Sequence, residues 1–371
     1  MKKPFIDFYS EIGFAPTGQQ AGTTQKHKNN RSNLYRKLGL RTSVFKNAKV
    51  LEVGAGSGEN AIDILNRGVS SLTISDGAQV VLDNLKSVIK SDTPIQFELH
   101  DSQQPTLNED VFDIVICEGV IPLQLNPTIF FQNVCKRVAP GGVILITTMD
   151  SISSLSEVLR RIISLIIRSR GAINVKNIVD FFQMDFKALE GMTRTPENWV
   201  LDSILNPWIG KMFSIKNALL AAPENFRPIS MTPNLHLDQE WYKKPLKNSS
   251  EKNEWIRSYQ ENCHQLINFQ YRSRISTAKE QNSLLLEICD LLFLEMQRMT
   301  DQSFPYNEKL IVSLVQRIVN EFTYIDVSTK DSLKSFINFI VTKNPSSLTN
   351  FQTFWGRGQQ YLCFENNLEE I

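Results

Sequence analysis

Glu52-Val53-Gly54-Ala55-Gly56-Ser57-Gly58-Glu59-Asn60 is the stretch that decides the fold. An apolar run, Lys49–Val53, leads straight into three alternating glycines, and a helix-compatible segment at 59–67 follows. Glycines at this spacing let the chain turn through dihedrals that a Cβ disfavours, and they let a ligand approach the backbone closely. The helix beyond offers unpaired N–H groups in its first turn. The spacing also discriminates between ligands. A dinucleotide fingerprint reads GxGxxG, whereas here the third glycine comes one residue early, as GxGxG, and Glu59 stands where the dinucleotide glycine belongs.

Outward from this turn, short apolar runs alternate with helical patterns. Residues 71–75, 96–100, 112–118 and 143–148 read as strands, and 59–67, 80–90 and 129–138 as helices. Pro140-Gly141-Gly142 turns the chain into the last of these strands. Such alternation indicates parallel βαβ units covered on both faces, an α/β Rossmann-like sheet. Polar residues close successive strands: Asp76 and Gly77 after the second, Asp101 and Ser102 after the third, Glu118 after the fourth. Open α/β sheets bind ligands at these carboxyl ends. A carboxylate at Asp76 can accept both hydroxyls of a ribose, and its structural alternative is a helix N-cap.

The glycine turn, with Asp76, Asp101 and Glu118 in register behind it, resembles the cofactor site of class I S-adenosylmethionine-dependent methyltransferases, strongly over residues 35–150 and loosely over 212–245. The resemblance implies a seven-stranded Rossmann-like sheet with a helical cap insertion and a C-terminal helical domain, and S-adenosylmethionine as cofactor. Its cofactor-binding residues would be Glu52, Gly54, Ala55, Gly56, Gly58, Asn60, Asp76, Gly77, Asp101, Ser102 and Glu118. Asp101 and Ser102 would lie near the adenine and Glu118 near the transferred methyl. A nicotinamide dehydrogenase is disfavoured by the glycine spacing. A non-catalytic binding protein on the same scaffold is the alternative, and the intact glycines and Asp76 count against it.

On this reading residues 1–34 form an N-terminal arm or lid, and 35–150 with 211–245 form the cofactor domain. Residues 151–210 form a helical cap insertion, and 250–371 a C-terminal helical domain. A helix at 214–222 and extended segments at 227–231 and 236–242 would supply the last helix and an antiparallel hairpin of the sheet. KKPLKNSSEKN at 243–253 reads as the linker. The polar GQQAGTTQKHKNN at 18–30 marks the arm as flexible, with FIDFY at 5–9 apolar enough to dock. The basic, apolar segment 159–170 reads as a lid helix facing an apolar acceptor rather than a membrane-surface helix.

Forty Lys and Arg against 39 Asp and Glu leave a formal charge of +1, without the concentrated positive charge of a dedicated nucleic-acid binder. Five dispersed cysteines lack any CxxC spacing, so neither a disulfide framework nor structural zinc is expected, and a reducing cytoplasm fits. No stretch reaches the roughly 18–20 apolar residues of a membrane span, so stable membrane insertion is not expected. Asp150 at the end of the fifth strand has no acidic companion, so no metal is expected either.

Methyl transfer is an in-line displacement that requires alignment, and a base where the acceptor carries a proton. After the fourth strand the chain reads CEGVIPLQLNP at 117–127. It lacks the Asp/Asn-Pro-Pro-aromatic loop of nucleobase N-methylation and the paired glutamates of protein arginine methylation. Segments 8–40, 194–208, 240–244 and WGRGQQY at 355–361 resemble a group of bacterial methyltransferases often assumed to act on small molecules, surface saccharides or peptide natural products. The expected acceptor is of that kind, methylated on oxygen or nitrogen. Glu118 and His27 are the catalytic candidates. Gln124, Arg194, Trp199, His236, Arg357 and Tyr361 are candidates for the acceptor wall, with Asn198 and Asp202 beside them. The structural alternatives are helix packing for Trp199 and a turn packing Trp355 on helices for the 355–361 motif. The oligomeric state stays open, a homodimer being one option.

Overall fold

Strands β1 (Lys49–Val53), β2 (Ser71–Asp76), β3 (Ile95–Leu99), β4 (Phe112–Cys117) and β5 (Val138–Thr148) run parallel in the order β3-β2-β1-β4-β5. They come from a computed structural model that describes residues 4–20, 22, 24–105, 110–168, 174–189, 191–237, 243, 248–270, 277–301 and 306–367. Val50, Leu51, Ile74, Ile114, Val115, Ile116 and Leu145 are buried, as strands covered on both faces require. Six helices belong to this half: α1 (Pro4–Ile12), α2 (Thr24–Lys37), α3 (Thr42–Phe45), α4 (Glu59–Leu65), α5 (Gln79–Val88) and α6 (Pro127–Cys135). The stretch read as a flexible arm is therefore largely helical. Helix α1 packs on α5, and α2 buries Arg31 and Tyr35.

Two antiparallel strands complete a seven-stranded sheet, β6 (Phe226–Thr232) and β7 (Gln360–Asn366), in the order β5-β7-β6. Here the structure corrects the expected hairpin. The seventh strand is the far end of the chain, and residues 360–365 pair with 148 back to 143 on one side and with β6 on the other. Leu362, Cys363 and Phe364 are completely buried, so three consecutive apolar side chains fill both faces of the sheet. His236 leaves the sheet and stacks on Trp255 at 4.9 Å, with Ser258 Oγ 3.0 Å from its Nδ1. Residues 238–242 and 244–247, which hold most of the expected last strand, the 240–244 motif and part of the linker, lie outside the described residues.

The remaining helices are α7 (Leu155–Arg168), α8 (Val175–Phe181), α9 (Gln183–Ala188), α10 (Pro196–Val200), α11 (Ile215–Ala221), α12 (Asn248–Asn262), α13 (Lys279–Asp301), α14 (Glu308–Glu321) and α15 (Val327–Thr342). Helix α7 is not a lid. Ten of its fourteen residues are buried, and it packs against α13. Arg160 and Arg161 are drawn inward by partners the sequence did not reveal. Arg160 pairs with Asp185 at 3.0 Å, donates to the Phe354 carbonyl at 2.8 Å and lies 3.6 Å from the centre of the Trp355 ring. Arg161 donates to the Asn206 carbonyl at 2.7 Å and lies over Trp208. Trp355 and Trp199 meet edge to face at 5.4 Å, so the WGRGQQY turn packs into this core. Asp150 serves the start of α7, accepting from the Ser153 N–H and the Tyr259 hydroxyl, each at 2.7 Å. Among the described residues no helix is long and apolar enough to cross a membrane.

Candidate active site

A cavity of about 270 Å³ opens where β1 to β4 end, walled by the glycine turn and roofed by the N-terminal segment. Gly54 and Gly56 hold φ at +74° and +55°. A Cβ on Gly54 would stand 2.4 Å from Val120 Cγ2, and one on Gly56 would stand 2.4 Å from Thr17 Oγ1. Both, with Ala55 and Asn60, line the cavity. Gly58 does not. It precedes α4 at φ +90°, and a Cβ there would strike Leu85 at 2.6 Å, so its task is close packing on α5.

Asp76, Gly77, Asp101 and Ser102 line the wall formed by the ends of β2 and β3. Asp76 accepts from the Ala78 N–H at 2.9 Å, which keeps its carboxylate aimed from the strand end. Burial pushes its pKa up to about 6, against the opposing pull of the Ala78 and Gly77 amides. The ionised form is the better acceptor for ribose hydroxyls. Affinity for S-adenosylmethionine is therefore expected to weaken as pH falls through about 6, the dependence vanishing in Asp76→Asn. Titration calorimetry across pH 5–8 checks this, and a flat profile for the unaltered protein would contradict it.

Glu52 lies beneath the turn and does not reach the cavity. Its buried Oε2 has no hydrogen-bond partner, and burial, then Glu118, raise its pKa to about 8 while Arg31 pulls the other way. The sign follows from linkage: the folded chain keeps a proton that the unfolded chain releases above about 4.5, so stability declines as pH rises from there toward 8. Thermal melts are expected to show that decline, and to show less of it in Glu52→Gln.

Glu118 ends β4 at the cavity, and both its oxygens are held by the Arg31 guanidinium. Arg31 also donates to the Tyr35 hydroxyl at 2.7 Å. Burial works against the Arg31 charge, but Glu118 and Tyr35 outweigh it and carry its pKa above the ordinary guanidinium value. His27, one helical turn before Arg31 on α2, places Nε2 3.2 Å from Asn60 Oδ1.

The roof is stitched on two sides. Thr17 Oγ1 accepts from the Ser57 N–H at 2.8 Å, and the Gln19 N–H donates to Glu59 at 3.1 Å. On the other side, Gln20 N–H donates to the Thr193 carbonyl at 2.7 Å and Gln19 bridges Arg194. A π-helical turn, Leu201–Leu205, presents Asp202, which accepts from the Tyr9 hydroxyl at 3.0 Å and from Arg194 at 2.6 Å. Such turns are rare and recur at functional sites. Gln124, Gln359 and Tyr361 complete the lining. Burial and Glu118 push the Tyr361 phenol up to about 12, with Arg31 and Arg194 opposing.

Three expected wall residues lie elsewhere. Trp199 is core, His236 faces α12, and Arg357 is exposed with its backbone N–H on the Leu266 carbonyl. Tyr9, Thr17, Gln19, Arg31 and Gln359 join the cavity without having been singled out by the sequence. Only Arg31 and Tyr35 carried a signal, their i,i+4 spacing placing both on one helix face. Among the described residues no three His, Cys, Asp or Glu side chains gather as a metal site requires.

Residues 27–181 match a protein family described as a methyltransferase domain. No curated protein matches the chain. Similar solved structures include an S-adenosylmethionine dependent methyltransferase from Mesorhizobium loti, 21% identical over 29% of this chain and 50% of that one, with a TM-score of 0.27. N-methyltransferase NodS from Bradyrhizobium japonicum is 14% identical over 39% of this chain and 74% of that one, TM-score 0.32. The CcbJ methyltransferase from Streptomyces caelestis is 15% identical over 41% and 58%, TM-score 0.30. The chain thus spans half the length of the Mesorhizobium protein, and these overlaps are partial. The region that matches the methyltransferase domain holds the GxGxG turn and the ends of the parallel strands on which the cavity opens.

Proposed function

We propose that the chain transfers a methyl group from S-adenosylmethionine to an oxygen or nitrogen of a small-molecule, saccharide or peptide acceptor. One observation carries the reading: a single cavity joins the glycine cradle and Asp76 to a second polar wall of Glu118, Gln124, Gln359, Tyr361, Arg194 and Asp202. When bound, the cofactor supplies a methyl on a sulfonium, whose sulfur keeps the electron pair as the methyl leaves. The chain supplies the alignment. Gly54 and Gly56 admit the ligand against bare backbone, Asp76 accepts the ribose hydroxyls, and Asp101 and Ser102 face the base. Glu118, with both oxygens on Arg31, is a fixed acceptor rather than a proton carrier. That leaves His27 as the base, its Nε2 steadied on Asn60 and its Nδ1 able to take the acceptor's proton.

The N-terminal segment and the 151–210 insertion form the cap that excludes water. Five buried free thiols support a cytoplasmic setting. Calorimetry with S-adenosylmethionine and S-adenosylhomocysteine tests the reading: saturable one-to-one binding of both is expected, and absence of binding would sink it.

A further inference from the structure

The strand order divides the cavity. Asp76, Gly77, Asp101 and Ser102 belong to the β2–β3 side, whereas Glu118, Gln359 and Tyr361 belong to the β4–β7 side, with Arg194 reaching over from the cap. Tyr361, Glu118, Arg31 and Arg194 all line this one volume. On that side each charge already has its opposite. Arg31 holds both oxygens of Glu118, and Arg194 pairs with one oxygen of Asp202 at 2.6 Å. What remains unmatched is neutral: the Tyr361 hydroxyl and the Gln359 amide make no side-chain hydrogen bond to the described residues, yet both line the cavity. The Gln359 amide lies over Gly119, 3.5 Å from where a Cβ would sit, next to Glu118.

We infer that the methyl acceptor is a neutral, hydroxyl-rich molecule of the polyol or saccharide class, recognised by Tyr361, Gln359 and the Arg194–Asp202 pair. The inference rests on the methyltransferase reading above and narrows it. A charged acceptor would have to compete with these ion pairs for its counter-charge. Among the described residues that line the β4–β7 side, no carboxylate or guanidinium stands outside such a pair. A hydroxyl group both donates and accepts. The Tyr361 phenol can donate to it, the Gln359 amide can do either, and the paired Arg194 and Asp202 keep spare N–H groups and lone pairs. Such walls reject analogues that lack the hydroxyl, because their own polar groups would be left unpaired. In the reaction the acceptor oxygen gains the methyl and gives its proton to His27, and the electron pair of the broken carbon–sulfur bond stays on sulfur.

The test measures transfer of labelled methyl from S-adenosylmethionine to three sets of small probes: methyl hexosides and inositols, primary and secondary alkylamines, and simple carboxylic acids. Incorporation into the neutral set is expected. Tyr361→Phe and Gln359→Ala are each expected to raise KM for that set about tenfold, as the loss of one hydrogen bond to the acceptor predicts. Their affinity for S-adenosylmethionine should stay unchanged, which also certifies that they fold. Incorporation confined to amines or acids, or none into any neutral hydroxyl compound, overturns the inference while leaving the cofactor reading intact. Failure of the unaltered protein to bind S-adenosylmethionine overturns both.

Discussion

Gly56→Ala is expected to weaken S-adenosylmethionine binding at least about a hundredfold, which calorimetry reads as roughly 2.8 kcal/mol. Two effects add. At φ +55° an L side chain carries a backbone penalty of about 1–2 kcal/mol. The new methyl would also stand 2.4 Å from Thr17 Oγ1, so either the turn or the roof must shift. That shift breaks the Thr17 bond to the Ser57 N–H at the mouth of α4. Gly141→Ala separates the two effects. Gly141 sits at φ +72° with nothing within 4 Å of its Cβ position, so it carries similar strain without a collision. It should lower the melting temperature slightly and leave cofactor affinity alone. Equal losses of binding in both variants would show that the glycine turn is a structural bend and not a cradle.

Arg31→Met should cost roughly 3–5 kcal/mol of stability, because it leaves the Glu118 carboxylate buried without its counter-ion. The two side chains are 8% and 9% exposed, which is dry enough for that penalty to apply. Methyl transfer should fall more than about a hundredfold as Glu118 loses its fixed orientation. Arg31→Lys should rescue little, since an ammonium cannot hold both carboxylate oxygens in one plane or reach Tyr35 in the same geometry. The double variant Arg31→Met with Glu118→Leu should regain much of the lost stability without regaining transfer. Denaturant melts and turnover on the unaltered protein, Arg31→Met, Glu118→Leu and the double variant form the cycle. An unchanged melting temperature in Arg31→Met would mean that the pair is not closed in solution.

Both predictions fall on the boundary between local and long-range information. The parallel half of the sheet was legible because each βαβ unit is a local pattern: an apolar run, a turn, an amphipathic helix. The ends of β1 to β4 carried cavity-lining residues with them, so Asp76, Gly77, Asp101, Ser102 and Glu118 could be placed at strand ends from the sequence. Gly58 was misread because its conformation matches its neighbours while its missing side chain makes room for Leu85 rather than a ligand. Helix α7 was misread for a related reason. Its arginines look like a solvated face until Asp185, Phe354 and Trp355 arrive from elsewhere to satisfy Arg160 in the core.

The sequence by itself determined the parallel sheet and the donor end of the site, since periodicity, glycine spacing and strand-end chemistry all act within a few residues. Tertiary structure alone decided that the chain's last strand would enter between β5 and β6, that Arg31 would grip Glu118, and that Tyr9, Arg194 and Asp202 would meet over the cavity. Arg31 and Glu118 lie 87 positions apart, and Tyr9 and Asp202 lie 193 apart. No local propensity fixes such a pairing. It is set by which buried charges and apolar strands the rest of the fold leaves in need of a partner.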